Sequence, residues 1–253
     1  FVEGSRTTKI EAANALAAIP DPVAVGMLMN LAYHPQLQGT GYARGALERV
    51  AGDLLLNGAR HALDSELPEA RRHALGILTR SDHRDAPDLL VSALTSPTMK
   101  TRIEVAIQLV ALSGSTSQNV VADRYRKAVG DLPRAVGQEV VRSGLRYYPA
   151  PVIKAVLHFA IGHSDKQLFR FVLDALNNGP MEAREVIAEE LDQTFDSRAR
   201  DSTIAARINE ILAARSERER KAKAVRDAAW FKAQLSSSSS PYSRGSSDKS
   251  VMN

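Results

Sequence analysis

Apolar residues along this chain recur at three- and four-residue spacing in short runs, separated by prolines, glycines and polar clusters. Val105, Leu109 and Leu112 make one such stripe. Val152, Val156 and Phe159 make another, and Phe169, Val172, Leu173 and Leu176 a third. This is the period of one helix face turned toward a core. No run alternates apolar and polar residues as a half-buried strand does, so the pattern predicts helices throughout. They come in pairs: 8–19 with 23–32, 42–55 with a short irregular piece at 59–64, and 68–78 with 86–94. Further on, 100–112 pairs with 118–129, 133–147 with 152–161, and 166–176 with 181–193. Pro35, Gly39, Gly41, Ser96-Pro97, Ser113-Gly114 and residues 177–180 punctuate the series, because these residue types favour turns over continued helix.

The pairs share a core motif: a small residue, an aliphatic one, and an apolar residue three positions further on. It reads Ala15-Leu16 with Ile19, Ala46-Leu47 with Val50, and Ala74-Leu75 with Leu78. It returns as Ala106-Ile107 with Val110, Gly144-Leu145 with Tyr148, and Ala175-Leu176. Successive copies start 31, 28, 32, 38 and 31 residues apart, a spacing typical of stacked repeats. Two copies match more closely, with junction prolines at Pro20 and Pro22 and again at Pro149 and Pro151. A proline in a first turn loses no needed hydrogen bond, and the residue before it avoids helical angles. Each junction therefore ends one helix and starts the next. A single pair cannot bury both of its apolar faces, so neighbouring pairs must cover them.

On this core, these prolines and this period, residues 8–193 resemble the HEAT-repeat families. The closest likeness is to the short repeats of about 30 residues first noted in phycobiliprotein lyases. The Asp-Pro junction typical of such repeats is present once, at Asp21-Pro22. The resemblance implies an all-α fold over residues 1–196. It would be a right-handed α-α superhelix, a HEAT/armadillo-like solenoid of about six helical hairpins, with second helices lining the concave face. Armadillo-like or irregular all-helical stacking is the alternative.

Residues 197–235 form a second region, a longer helix without proline or glycine. Ile204, Ile208, Ile211 and Leu212 give its first half a buried stripe, while RSERERKAK at 215–223 is almost wholly charged. Ala224, Ala228, Phe231 and Leu235 make a second stripe with Trp230 beside it. The remainder, 236–253, is serine-rich and of low complexity, a composition expected to be disordered alone.

Composition narrows the chemistry. The chain has no cysteine, which excludes disulfides, thiolate metal sites and cysteine nucleophiles. No stretch approaches the ~18 apolar residues of a membrane span, so a soluble protein of cytosol or periplasm is expected. The Phe1 start suggests a processed form or a fragment. A net charge of +4 permits an acidic partner without requiring one.

No catalytic, cofactor or metal site is expected. Gly39 to Gly45 reads GTGYARG, but it has neither the preceding strand of a dinucleotide fingerprint nor the Gly-Lys-Ser/Thr ending of a P-loop. His83-Arg84-Asp85 matches three letters of a kinase loop with no other kinase element. The six histidines make no i, i+4 pair, and Glu189-Glu190 and the acids of 192–196 lie on a polar helix face. Partner binding is assigned instead to two places. Arg124, Arg126 and Lys127 fall on one second helix, and Lys154 and His158 on the next, where they suit an acidic or phosphate-bearing ligand. Trp230, Phe231 and Leu235 suit a helix-in-groove anchor or an end cap.

The expected function is a non-enzymatic protein-interaction scaffold or adaptor within a larger assembly, without cofactor. It would bind through the solenoid inner face and the C-terminal helix and tail. A nucleic-acid or phospho-ligand binder using the basic second helices is the alternative. A lyase-type enzyme is implied only by analogy with some short-repeat families.

Overall fold

The computed structural model describes residues 5–115, 120–163, 165–194 and 202–238, with side chains described except at Ser115, Ser202 and 231–238. Among the described residues the secondary structure is helical, with no strand. The order is α1 (Arg6–Ala18), α2 (Pro22–Ala32), α3 (Thr40–Leu47), α4 (Gly52–Ala62), α5 (Pro68–Arg80) and α6 (Ala86–Ser92). A 3-10 turn, Ala93–Thr95, leads to α7 (Met99–Ser115), α8 (Val120–Gly130), α9 (Arg134–Tyr147) and α10 (Ala150–Gly162). The last three are α11 (Lys166–Asn178), α12 (Met181–Thr194) and α13 (Ser202–Ser238). No helix among these residues is long and apolar enough to cross a membrane.

The helix starts follow from local chemistry. Asp21 accepts the Val23 N–H at 2.9 Å with Pro22 next in the first turn. Asp165 accepts the Gln167 N–H at 2.8 Å. That bond, and then Arg134, holds its carboxyl below the usual carboxylate range. Pro68, Pro87 and Pro151 also sit in first turns, where a missing N–H costs nothing.

One predicted pair differs from the structure. The stretch 42–55 is not one helix followed by an irregular piece. It is α3, a tight turn, and a complete second helix α4. Short bonds from Arg49 N–H to Ala46 O and from Val50 N–H to Leu47 O, both 3.1 Å, close off α3. Ala51 is then extended, at φ −58° and ψ 145°, and α4 begins at Gly52. The apolar run through Leu54 and Leu55 hides this break, because the inward register restarts and buries Leu56, Ala59 and Ala62 instead.

The small-aliphatic pair of the recurring motif is buried in five of its six copies. Ala46-Leu47, Ala74-Leu75, Ala106-Ile107, Gly144-Leu145 and Ala175-Leu176 are all inside. The first copy is the exception: Ala15 is exposed and Ala13 takes the buried place. Helix α1 packs on α2 and α3, and no element precedes it among the described residues to cover the face that carries Ala15.

Close backbone approach fixes two interfaces. A Cβ on Gly58 of α4 would lie 2.5 Å from Val25 Cβ of α2. A Cβ on Gly144 of α9 would lie 2.8 Å from Val156 Cγ2 of α10. Both partners are β-branched and stiff at χ1, so neither can swing away.

The chain divides into two compact units, residues 1–187 and 188–253, with the boundary inside α12. In the first unit, α1 packs on α3, α5 on α7, α7 on α9, and α9 on α11. Likewise α2 packs on α4, α4 on α6, and α6 on α8, while α10 packs on α7, α9 and α11. Side-chain bonds join positions about one period apart: Arg60 to Ser92, Asp64 to Ser96, Arg71 to Glu104, Arg124 to Asp88, and Arg134 to Asp165. In the second unit Ala188, Leu191, Ile208 and Ile211 are buried. Arg215 there ties Glu189 at 3.0 Å to Glu219 at 2.9 Å. From 218 to 230 every side chain of α13 is exposed.

Candidate partner-binding site

Helix α8 buries Ala122, Tyr125 and Val129, a three- and four-residue spacing that turns Arg124, Arg126 and Lys127 outward, where all three are exposed. Helix α10 buries Ile153, Val156, Leu157 and Ala160. The same register leaves His158 exposed and Lys154 half-buried. The end of α7, α8 and α10 together enclose a groove of about 300 Å³. Arg126 and His158 both line it, with Phe159 and His163 beside them. His163 donates from Nδ1 to the Phe159 carbonyl at 2.8 Å, and the two rings lie 4.1 Å apart.

The structure thus brings one residue of each basic helix into a single groove. The others go elsewhere. Arg124 turns toward α6 and donates to Asp88 Oδ1 at 2.7 Å. Lys127 and Lys154 lie outside the groove lining. Arg126 is itself paired with Asp123 at 2.5 Å. At the C-terminal helix, Trp230 is 58 % exposed. The side chains of Phe231 and Leu235, and all of 239–253, lie outside the described residues.

A second groove has no counterpart among the residues singled out from the sequence. About 410 Å³ in volume, it is lined by Pro68 and Arg72 of α5, Glu104 and Gln108 of α7, and Tyr147 and Tyr148 at the end of α9. Tyr147 is 77 % exposed. Burial raises the Tyr148 phenol above its ordinary pKa, and Glu104 adds to the effect, so the hydroxyl stays a donor. Beside this groove lies Arg71, only 1 % exposed. Its Nε and Nη2 donate to the two Glu104 oxygens at 2.9 Å each, and its Nη1 donates to the Ser65 carbonyl at 2.7 Å. The signal for Arg71 was present in the sequence. It stands four residues from Leu67 and Leu75 and three from Ala74, which places a charge on the core face of α5.

The other motifs fall into structural positions. Gly39, at φ +91°, opens α3. Gly41, Tyr42 and Gly45 line a groove of about 580 Å³ against α1, crossed by the contact of Arg49 with Asn14. His83 accepts the Asp85 N–H on Nδ1 and lies 2.8 Å from Asp53 Oδ1 through Nε2, so the His-Arg-Asp turn is tied back to α4. His73 meets the Tyr33 hydroxyl at 2.7 Å, with the rings stacked at 4.0 Å. Burial first, then Arg80 and Arg44, lowers the His73 pKa. Among the described residues no group of three or more His, Asp or Glu is placed to hold a metal ion.

The chain matches no protein-family model, no curated protein and no solved structure.

Proposed function

We propose that the chain is a protein-interaction scaffold whose first unit is a right-handed α-α superhelix of HEAT-like hairpins. The observation that supports this is the spacing of its side-chain bonds. Arg60–Ser92, Asp64–Ser96, Arg71–Glu104 and Arg134–Asp165 each join positions 31 to 33 residues apart. A chain whose units contact mainly their neighbours is quasi-one-dimensional and presents extended surface relative to its mass. Protein partners would engage that surface at the α7–α8–α10 groove and at the apolar end of α13, through Trp230, Phe231 and Leu235. Pairing of Arg124 with Asp88 and of Arg126 with Asp123 weakens the field those helices offer a phosphate, which ranks a phospho-ligand at this groove second.

The test is a quantitative pull-down with the full chain and two variants, Trp230→Ala/Leu235→Ala and Arg126→Ala/His158→Ala. Circular dichroism establishes that both fold. The scaffold reading expects one or more stoichiometric partners with the full chain and loss of a partner with at least one variant. Recovery of the same partners by both variants refutes these surfaces.

A further inference from the structure

The excess positive charge of this chain is concentrated in one place. Residues 215–230 carry six basic and three acidic side chains, while the rest of the chain carries 27 and 26. Three of the four net charges therefore sit on one helical stretch of α13. That stretch is also the most open part of the described chain, since no side chain from 218 to 230 is even half-buried. Glu219 is engaged by Arg215, and Glu217 by Arg220 and Lys221. Lys223 and Arg226 have no acidic partner within 4.0 Å among the described residues. Asp227 is the remaining acid.

The arrangement of the cations around the helix selects the kind of polyanion. With 3.6 residues per turn, Arg226, Lys223, Arg220 and Lys221 stand roughly 80°, 140°, 200° and 300° round from Arg218. They face all sides. A membrane or a protein groove meets one side of a helix and needs an apolar stripe there, yet between 215 and 226 only Ala222, Ala224 and Val225 are apolar. A helix lying in the major groove of B-form DNA is flanked by phosphates on both sides. That groove is about 12 Å wide, and a helix with side chains is about 10–12 Å across. The twelve residues from Arg215 to Arg226 span about 18 Å, or about five base pairs at 3.4 Å each. A-form RNA closes its major groove to such a helix.

We propose that residues 215–226 of α13 form a sequence-tolerant contact for double-stranded DNA, lying along the major groove with cations on both phosphate walls. This is a separate surface from the protein-binding sites above.

The experiment uses the full chain and a fluorescent 20-base-pair DNA duplex, with affinity measured by anisotropy from low to moderate salt. The proposal expects log affinity to fall with log salt at a slope of about −3 to −5, as four or five neutralised phosphates require. Arg218→Gln/Lys223→Gln/Arg226→Gln keeps helix-compatible residues at exposed positions and should reduce the slope by about 3. The control Arg124→Gln/Arg126→Gln/Lys154→Gln should bind like the parent chain. No salt-dependent binding overturns the proposal, as does a triple α13 variant that binds normally or a control variant that does not. Equal or tighter binding of an RNA duplex of the same length overturns the major-groove geometry. Equal competition by poly-glutamate shows an acidic protein site instead.

Discussion

Helix α4 and the outer stretch of α13 are both regular α-helix, and they are held by different forces. Helix α4 has 11 residues, below the roughly 12–15 at which isolated helices become even marginal in water. It is sustained by what it touches: Leu56, Ala59 and Ala62 are buried, and Gly58 lets its backbone close on Val25 of α2. The α13 stretch from 218 to 230 buries nothing. Its support is local, from alanine and long straight side chains and from ion pairs worth about 0.2–0.5 kcal/mol each. One helix exists because of its neighbours, the other because of its own sequence. Substitutions should therefore act strongly in the first region and weakly in the second.

The largest effect is expected at Glu104. Replacing it with alanine leaves Arg71 buried without its counter-charge, which should destabilise the protein by about 3 kcal/mol in urea unfolding, the lower end for a broken buried pair because Glu104 is itself 26 % exposed. A loss below about 1 kcal/mol, the range of surface pairs, would mean that Arg71 reaches water. Gly58→Ala comes next. Its methyl group would press on the β-branched Val25 side chain at Cβ and Cγ1, and overpacking of about 1–3 kcal/mol should outweigh the gain of about 1 kcal/mol in helix propensity. Equal or raised stability would show that α2 and α4 are free to separate.

A smaller effect follows from His73. Its folded pKa is lowered, so the unfolded chain takes up a proton first as pH falls. The associated stability is complete above the ordinary histidine value of about 6.5 and declines as pH drops through it. His73→Gln should flatten this decline in thermal melts between about pH 7.5 and 5.5, above the carboxylate range. An unchanged slope would assign the decline to other groups. The smallest effects belong to α13. Glu217→Gln should cost no more than about 0.5 kcal/mol, and Trp230→Ala should stay within about 0.5 kcal/mol. A loss above 1 kcal/mol at Trp230 would mean that this end of the helix is packed and would erase the contrast with α4.

The same contrast explains what could be read without coordinates. Starts marked by Pro22, Pro68 and Pro151, and the charged character of 215–223, are local facts written in residue type. The break between α3 and α4 is not. Val50, Ala51 and Gly52 contain no proline, and the apolar run continues through them, so the restart at Gly52 depends on which residues α2 accepts. The same holds for partner surfaces. Arg124, Arg126 and Lys127 are legible as exposed cations, but the pairing of Arg124 depends on Asp88, 36 positions away, while that of Arg126 with Asp123 is local. The Tyr147–Arg72 groove joins residues from three helices, and spacing within a single helix could not have assembled it.

The Arg71–Glu104 pair also limits how this protein can change. Removing Glu104 strands Arg71 in the interior, and removing Arg71 leaves the half-buried Glu104 without its counter-charge, whereas exchanging both for apolar residues of similar volume is often neutral or favourable. The apolar solution lies close in energy but two substitutions away, with an unstable molecule at each single step. A lineage carrying this pair is held to it by the route rather than by the destination. A designer who changes both codons at once, for example Arg71→Met with Glu104→Leu, takes a path that single mutations cannot.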